Sequence, residues 1–167
     1  VGNINGGTVS TITFWLKAGN TNQKIIDLNG TANIEVVSGT ITANGFTSPT
    51  IYVDGAASSI IDTGWHFVAI TTGTPITASA MDIGRISAGY YTGLIDEVRV
   101  YNRALSASEV AKLYQSGAAK HNNPTNLGLV GYWSFNEGTS TYAGDFSGNR
   151  NNGTLTSMAF PPTAASG

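Results

Sequence analysis

Cysteine is absent from the 167-residue chain, which rules out disulfides and thiolate metal sites and leaves the compartment open. Charge is scarce too: charged residues make up 11 % of the sequence and the net charge is −2. Nucleic acids and anionic membrane surfaces are bound through dense basic patches, so neither is an expected partner. No apolar run approaches the ~20 residues that cross a bilayer, so no membrane insertion is expected. No leader is visible at Val1, so any export signal is expected to have been removed or to lie upstream. Catalytic patterns are also missing. Glycosidases need two carboxylates about 5–10 Å apart, whereas Asp96 and Glu97 are adjacent on a predicted strand and point to opposite faces. The remaining acids form no E-x-D-x-x-E array, and the two histidines, His66 and His121, fall on a predicted strand and a linker. No Ser-His-Asp pattern, phosphate loop or His-rich metal motif is visible, so the chain is not expected to be an enzyme.

What the chain has in quantity is turn chemistry, including 21 glycines. "STITFWLKAG" alternates Ile12, Phe14 and Leu16 against Thr11, Thr13 and Trp15, a strand of period two. "KIIDLNG", "ANIEVVSG", "TITANG" and "TIYVDG" follow, and Asn29-Gly30, Asn44-Gly45 and Asp54-Gly55 supply hairpin turns. "GWHFVAITTG" reads as a strand buried on both faces, and "AMDIGRI" and "GLIDEVRVYN" complete the run. Short strands at this spacing predict an all-β fold, an antiparallel β-sandwich. The single predicted helix is "LSASEVAKLYQSG". Ser106 and Glu109 have the spacing of a capping box, Val110, Leu113 and Tyr114 form an apolar stripe, and Gly117 is placed as the C′ stop. A helix this short is expected to cover one end of the sandwich.

Residues 118–128, "AAKHNNPTNLG", are polar and aperiodic and read as a linker. Structure is predicted to resume with "LVGYWSFNEG" and the turn-rich "AGDFSGNRNNGTLT". "GLIDEVRVYNRALSASEVAKLY", Gly93 to Tyr114, resembles the closing strand and helix of concanavalin A-like, laminin-G-like jelly-roll domains of bacterial surface proteins. "GLVGYWSFNEG…DFSGNRNNGTL", Gly128 to Leu155, resembles the opening segment of the same family. The order is inverted, since the opener comes last, and the strand that usually precedes "VGNING" is missing. Three arrangements are consistent with this: a single permuted sandwich over 1–167 whose opening strand and loop come from 129–155, a fragment of a tandem array, or a fold completed by a neighbouring molecule. The first is preferred, with Val130, Tyr132 and Ser134 expected antiparallel to Asp96–Tyr101.

The best candidate site is "DFSGNRNNG", Asp145 to Gly153, which gathers Asp145, Asn149 and Asn151 among glycines. Calcium takes six to eight oxygen ligands from such groups, while a turn capped by its own Asp and Asn side chains has the same composition. Simple alternation puts Asp96 in phase with Val98 and Val100, where a carboxylate needs hydrogen bonds or a cation. The resemblance implies a structural calcium near the loop, with Asp96 as a second carboxylate. The rival is Asp96 held by backbone N–H groups of that loop. For sugar recognition, Tyr90 and Tyr91 in "SAGYYTG" are the aromatic candidates, with Asn20, Asn22 and Gln23 as hydrogen-bonding neighbours. Trp15, Trp65 and Trp133 are expected in the core. The resemblance implies a non-catalytic extracellular or cell-surface module that binds glycans or a surface protein in adhesion. The alternative is a repeat subunit of an array or filament whose neighbouring copies share strands.

Overall fold

The computed structural model describes residues 2, 4–118, 128–135 and 142–154. The predicted linker, His121 and Glu137 lie outside them in whole or in large part. The larger sheet contains β1 (Gly7–Ala18), β5 (Thr50–Val53), β6 (Ala56–Ala57), β7 (Trp65–Ala78), β11 (Gly93–Tyr101) and β12 (Leu129–Trp133). Its spatial order is β12-β11-β1-β7-β5-β6, antiparallel throughout. The smaller sheet contains β2 (Gln23–Asp27), β3 (Asn33–Val37), β4 (Thr40–Asn44) and β8 (Asp82–Ile83), in the order β4-β3-β2-β8. Two short ribbons complete the set: β9 (Arg85–Ile86) with β10 (Gly89–Tyr90), and β13 (Tyr142–Ala143) with β14 (Gly153–Thr154). The fold is an antiparallel β-sandwich, as the strand and turn pattern predicts.

Alternation builds the interior. Ile12, Phe14 and Leu16 of β1, Val68 and Ile70 of β7, and Val98 and Val100 of β11 share one apolar cluster with Ile26, Ile34, Val36 and Ile41 of the smaller sheet. Burying each such side chain contributes roughly 1.5–3 kcal/mol. The other face of the larger sheet is also covered, which explains why β7 is buried on both sides. There Phe67, Ala69 and Tyr101 pack with Leu105, Val110 and Leu113, and Trp15 and Tyr114 stack at 5.8 Å.

The helix α1 (Ala107–Ala118) thus lies over the outer face of the larger sheet and not at one end of the sandwich. Its apolar stripe finds a second row of large side chains on that sheet. The capping box is formed: Ser106 N–H donates to Glu109 Oε2 at 2.9 Å, and Glu109 N–H donates to Ser106 Oγ at 3.4 Å. Thr11 of β1 ties down the approach to the helix, its hydroxyl donating to the Arg103 carbonyl and accepting the Leu105 N–H. Gly117 is not the C′ stop, because the helix runs through it to Ala118. A Cβ there would lie 2.6 Å from Trp15 Nε1, so the glycine lets the helix close onto the indole.

The tryptophans divide three ways. Trp133 is fully buried, Trp15 is half-buried under α1, and Trp65 is 46 % exposed. Trp65 opens β7 opposite Lys17, which also pairs with the exposed Leu94. It lies outside the cluster under the helix, so a core assignment fails for this residue.

Candidate functional site

Asp96 does not share a face with Val98 and Val100. Thr13 pairs with Arg99 but Trp15 pairs with Asp96, so Glu97 and Val98 together stand opposite the single residue Phe14. This is a β-bulge, with Glu97 in the left-handed region at φ 53°. The inserted residue reverses the alternation, so Ile95 joins the core with the valines while Asp96 lies opposite Trp15. Asp96 Oδ1 accepts the N–H of Glu97 at 2.8 Å, fastening the bulge. Glu97 is thereby turned towards β12: its Oε1 accepts the Tyr132 hydroxyl at 2.8 Å, and its Oε2 pairs with Arg99. The Arg99 guanidinium sits 4.4 Å from the centroid of the Tyr132 ring. Burial first, and the Glu97 carboxylate second, push the Tyr132 phenol up to about 12.

The strand pairing expected between the two motifs is present. β12 runs antiparallel to β11, with Val98 opposite Trp133, Arg99 opposite Tyr132 and Val100 opposite Gly131, while Ser134 falls just past the strand. A Cβ on Gly131 would meet the Trp133 ring at 2.3 Å, so the "GYW" triplet lets the indole fold back over its own strand into the core.

Asp145 sits against β12, held by four donors. Its Oδ1 accepts the N–H groups of Tyr132 and Ser147, each at 2.8 Å. Its Oδ2 accepts the Ser147 hydroxyl and the Asn151 N–H, each at 2.9 Å. An ionised carboxylate has about four lone-pair sites, so the set is filled by N–H and O–H groups. Asn149 Nδ2 donates to the carbonyls of Leu129 and Val130, and Asn151 Nδ2 donates to that of Val130. The donor set therefore fits a hydrogen-bonded turn and, in this arrangement, does not fit an ion on Asp145. Among the described residues no group of three or more His, Asp or Glu side chains gathers as metal ligands.

The two tyrosines separate. Tyr91 is half-buried against the core and its hydroxyl donates to the Leu94 carbonyl; burial pushes its phenol up. Tyr90 is 65 % exposed on β10, opposite Arg85. Asp82 accepts from Arg85 Nε at 2.9 Å, and Asp82 first, then Tyr90, hold the guanidinium in its charged form. Asn20, Asn22 and Gln23 accept the N–H groups of Asn22, Ser38 and Thr92, so their oxygens organise turns.

Two polar groupings escape sequence reading. On the outward face of the smaller sheet, Glu35 is bonded by Lys24 and by Asn44 Nδ2, which also donates to Asn33. Lys24 and then Asn44 hold the Glu35 carboxyl below its usual range against the cost of burial. This strip runs beside the β9–β10 ribbon, whose Gly89 lies over the Lys24 stem. The alternation of β2, β3 and β4 was the available signal, but it could not reveal that the ribbon lands next to them. The second grouping joins Asp54, His66 and Asp62, with His66 Nδ1 2.8 Å from Asp54 and Nε2 3.0 Å from Asp62. Burial disfavours charge on His66, and its two carboxylate partners outweigh it, raising the imidazole. The same carboxylates accept the Phe67 and Gly64 N–H groups, so this cluster fastens turns.

A family model described as the concanavalin A-like lectin/glucanases superfamily, of the laminin-G type, matches residues 3–111. The chain belongs to that superfamily. No curated protein matches it. Domains of this type are generally non-catalytic binding modules and typically extracellular, although the superfamily also includes glycosidases.

Proposed function

We propose that this member of the concanavalin A-like superfamily is a non-catalytic glycan-binding or adhesion module of an extracellular or cell-surface protein. In this reading, 1–167 form one permuted sandwich, supported by the antiparallel pairing of β12 with β11. The observation that carries the binding role is the surface around Tyr90. An exposed phenol stands at the rim of a sheet face bearing Lys24, Glu35 and Asn44, with the Asp82–Arg85 pair beside it. A flat ring flanked by fixed donors and acceptors suits a sugar, which presents a C–H face and a hydroxyl edge. No described helix is long and apolar enough to cross a membrane.

The test is binding of the full chain to an array of glycans, followed by titration of the retained sugars. Tyr90→Ala is expected to weaken binding at least about tenfold, the equivalent of ~1.4 kcal/mol, while melting is unchanged. Trp65→Ala serves as the second arm. If it abolishes binding and Tyr90→Ala does not, the contact surface is the Trp65–Lys17–Leu94 row. If no glycan is retained, the lectin reading fails.

A further inference from the structure

Among the described residues, β12 is the terminal strand of the larger sheet. A terminal strand carries main-chain groups that its one neighbour leaves over, and these template the addition of a strand from another molecule. Here four such groups have partners in the Asp145–Asn151 loop. Tyr132 N–H donates to Asp145 Oδ1, and the Tyr132 carbonyl accepts the Phe146 N–H at 2.7 Å. The Leu129 and Val130 carbonyls accept the side-chain amides of Asn149 and Asn151. Three of the four side-chain and main-chain devices that close the edge are thus side chains of one loop, and only Phe146 contributes a main-chain donor.

The loop is itself built to stay in place. Its base is closed by the β13–β14 ribbon, with Tyr142 opposite Thr154 and Ala143 opposite Gly153. Asn151 fastens its far end by accepting, through its carbonyl, the Trp133 indole N–H at 2.9 Å. Behind it stands an uncharged strand, "LVGYW", rich in β-forming residues, which is the kind of segment that pairs with its own copies when exposed.

We propose that the Asp145–Asn151 loop is an edge guard: its side chains occupy the outer hydrogen-bonding groups of β12 and prevent a second copy of this chain from pairing there. The asparagines place amide donors where an added strand would place its N–H groups, and Asp145 places an acceptor where that strand would place a carbonyl. The motif that suggests metal ligation by composition is used to keep the sheet closed.

The experiment measures mass against protein concentration by sedimentation for the full chain and for the double variant Asn149→Ala/Asn151→Ala, with amide hydrogen exchange on both. The wild-type mass is expected to stay constant. The double variant should keep its far-ultraviolet spectrum and cooperative melt, yet double its mass as concentration rises, with protection gained at Leu129–Trp133 in the associated form. If the double variant does not fold, Asn149→Ala alone is measured in the same way. A folded variant that stays at wild-type mass overturns the proposal. So does a wild-type chain that associates equally, or association that leaves exchange at Leu129–Trp133 unaltered.

Discussion

The larger sheet is covered in two places by two different kinds of cover. Over its outer face lies α1, held by Val110, Leu113 and Tyr114 against Trp15, Phe67 and Tyr101. Against its β12 edge lies the Asp145–Asn151 loop, held by hydrogen bonds from side chains to strand backbone. The face presents side chains and is best covered by apolar area, which is non-directional and tolerates small shifts. The edge presents N–H and C=O groups, which only directed partners can satisfy. Each cover therefore has the composition its site demands, and each should fail in its own way.

The largest expected effect comes from the residue that serves both the core and the edge. Trp133 is fully buried, and its indole N–H holds the Asn151 carbonyl. Trp133→Ala leaves a large cavity and frees the loop at once, for a loss of about 3–5 kcal/mol. Denaturant unfolding checks the magnitude. A loss below ~1 kcal/mol would mean that the β12 segment does not contribute to the cooperative unit.

Overpacking the helix cover comes next. Gly117→Leu places a side chain where Trp15 lies 2.6 Å from the first added carbon, which should cost about 1–3 kcal/mol. The strain falls on the helix and not on the edge, so hydrogen exchange should quicken in 107–118 while Leu129–Trp133 stays protected. Parallel loss of protection in both would show that the two covers are one cooperative unit.

The edge cover is probed at Asp145. Asp145→Ala strands the Tyr132 and Asn151 N–H groups, at a cost of about 1–3 kcal/mol. Because its oxygens are already filled by four donors, chelators are expected to leave the wild-type melting temperature unchanged. A fall on chelation that calcium reverses and magnesium does not would return Asp145, Asn149 and Asn151 to the role of metal ligands.

The two covers also differ in how far they were legible. Strands, the hairpin turns at Asn29-Gly30 and Asp54-Gly55 and the Ser106–Glu109 cap could be read because their causes are local: period-two alternation, turn-forming residue pairs, and a fixed spacing along one helical turn. Asn44-Gly45 closes no hairpin, since it carries the chain from β4 across to β5 in the other sheet. The helix stripe was legible too, but the surface it meets was not, since Trp15 and Phe67 come from distant strands. Gly117 reads as a helix stop when only its neighbours in sequence are weighed, and its reason is the ring of Trp15. Plain alternation puts Asp96 on the wrong face because a non-glycine residue, Glu97, takes a positive φ, and no local pattern announces that bulge. For Asp145, composition allowed both an ion and a capped turn. The Tyr132 N–H that Asp145 accepts comes from a strand that only the tertiary fold sets beside the loop, so local composition could not show it.

The smallest effect lies at the start of the helix cover, where charge and capping meet. Glu109 accepts two bonds from Arg103 and two from Ser106, through its N–H and its hydroxyl. Arg103 chiefly, then Ser106, lower its carboxyl from the ordinary 4.5 to about 2. A pKa depressed on folding means that the native state favours the ionised form. Its contribution is therefore complete above the unfolded value near 4.5 and is lost as pH falls towards about 2. Both partners are nearly a third exposed, so water screens the pair and the contribution should stay below ~1 kcal/mol. Glu109→Gln keeps the cap's shape while removing the charge. The difference in stability between wild type and variant should be present at neutral pH and shrink to nothing by about pH 2. Ser106→Ala, which removes the acceptor for Glu109 N–H, should cost about 0.5–2 kcal/mol, with a part that persists at low pH. If the Glu109→Gln difference were equally large at both pH values, the carboxylate would be acting through shape and hydrogen bonding alone, and the Arg103 pair would contribute nothing to holding the helix on the sheet.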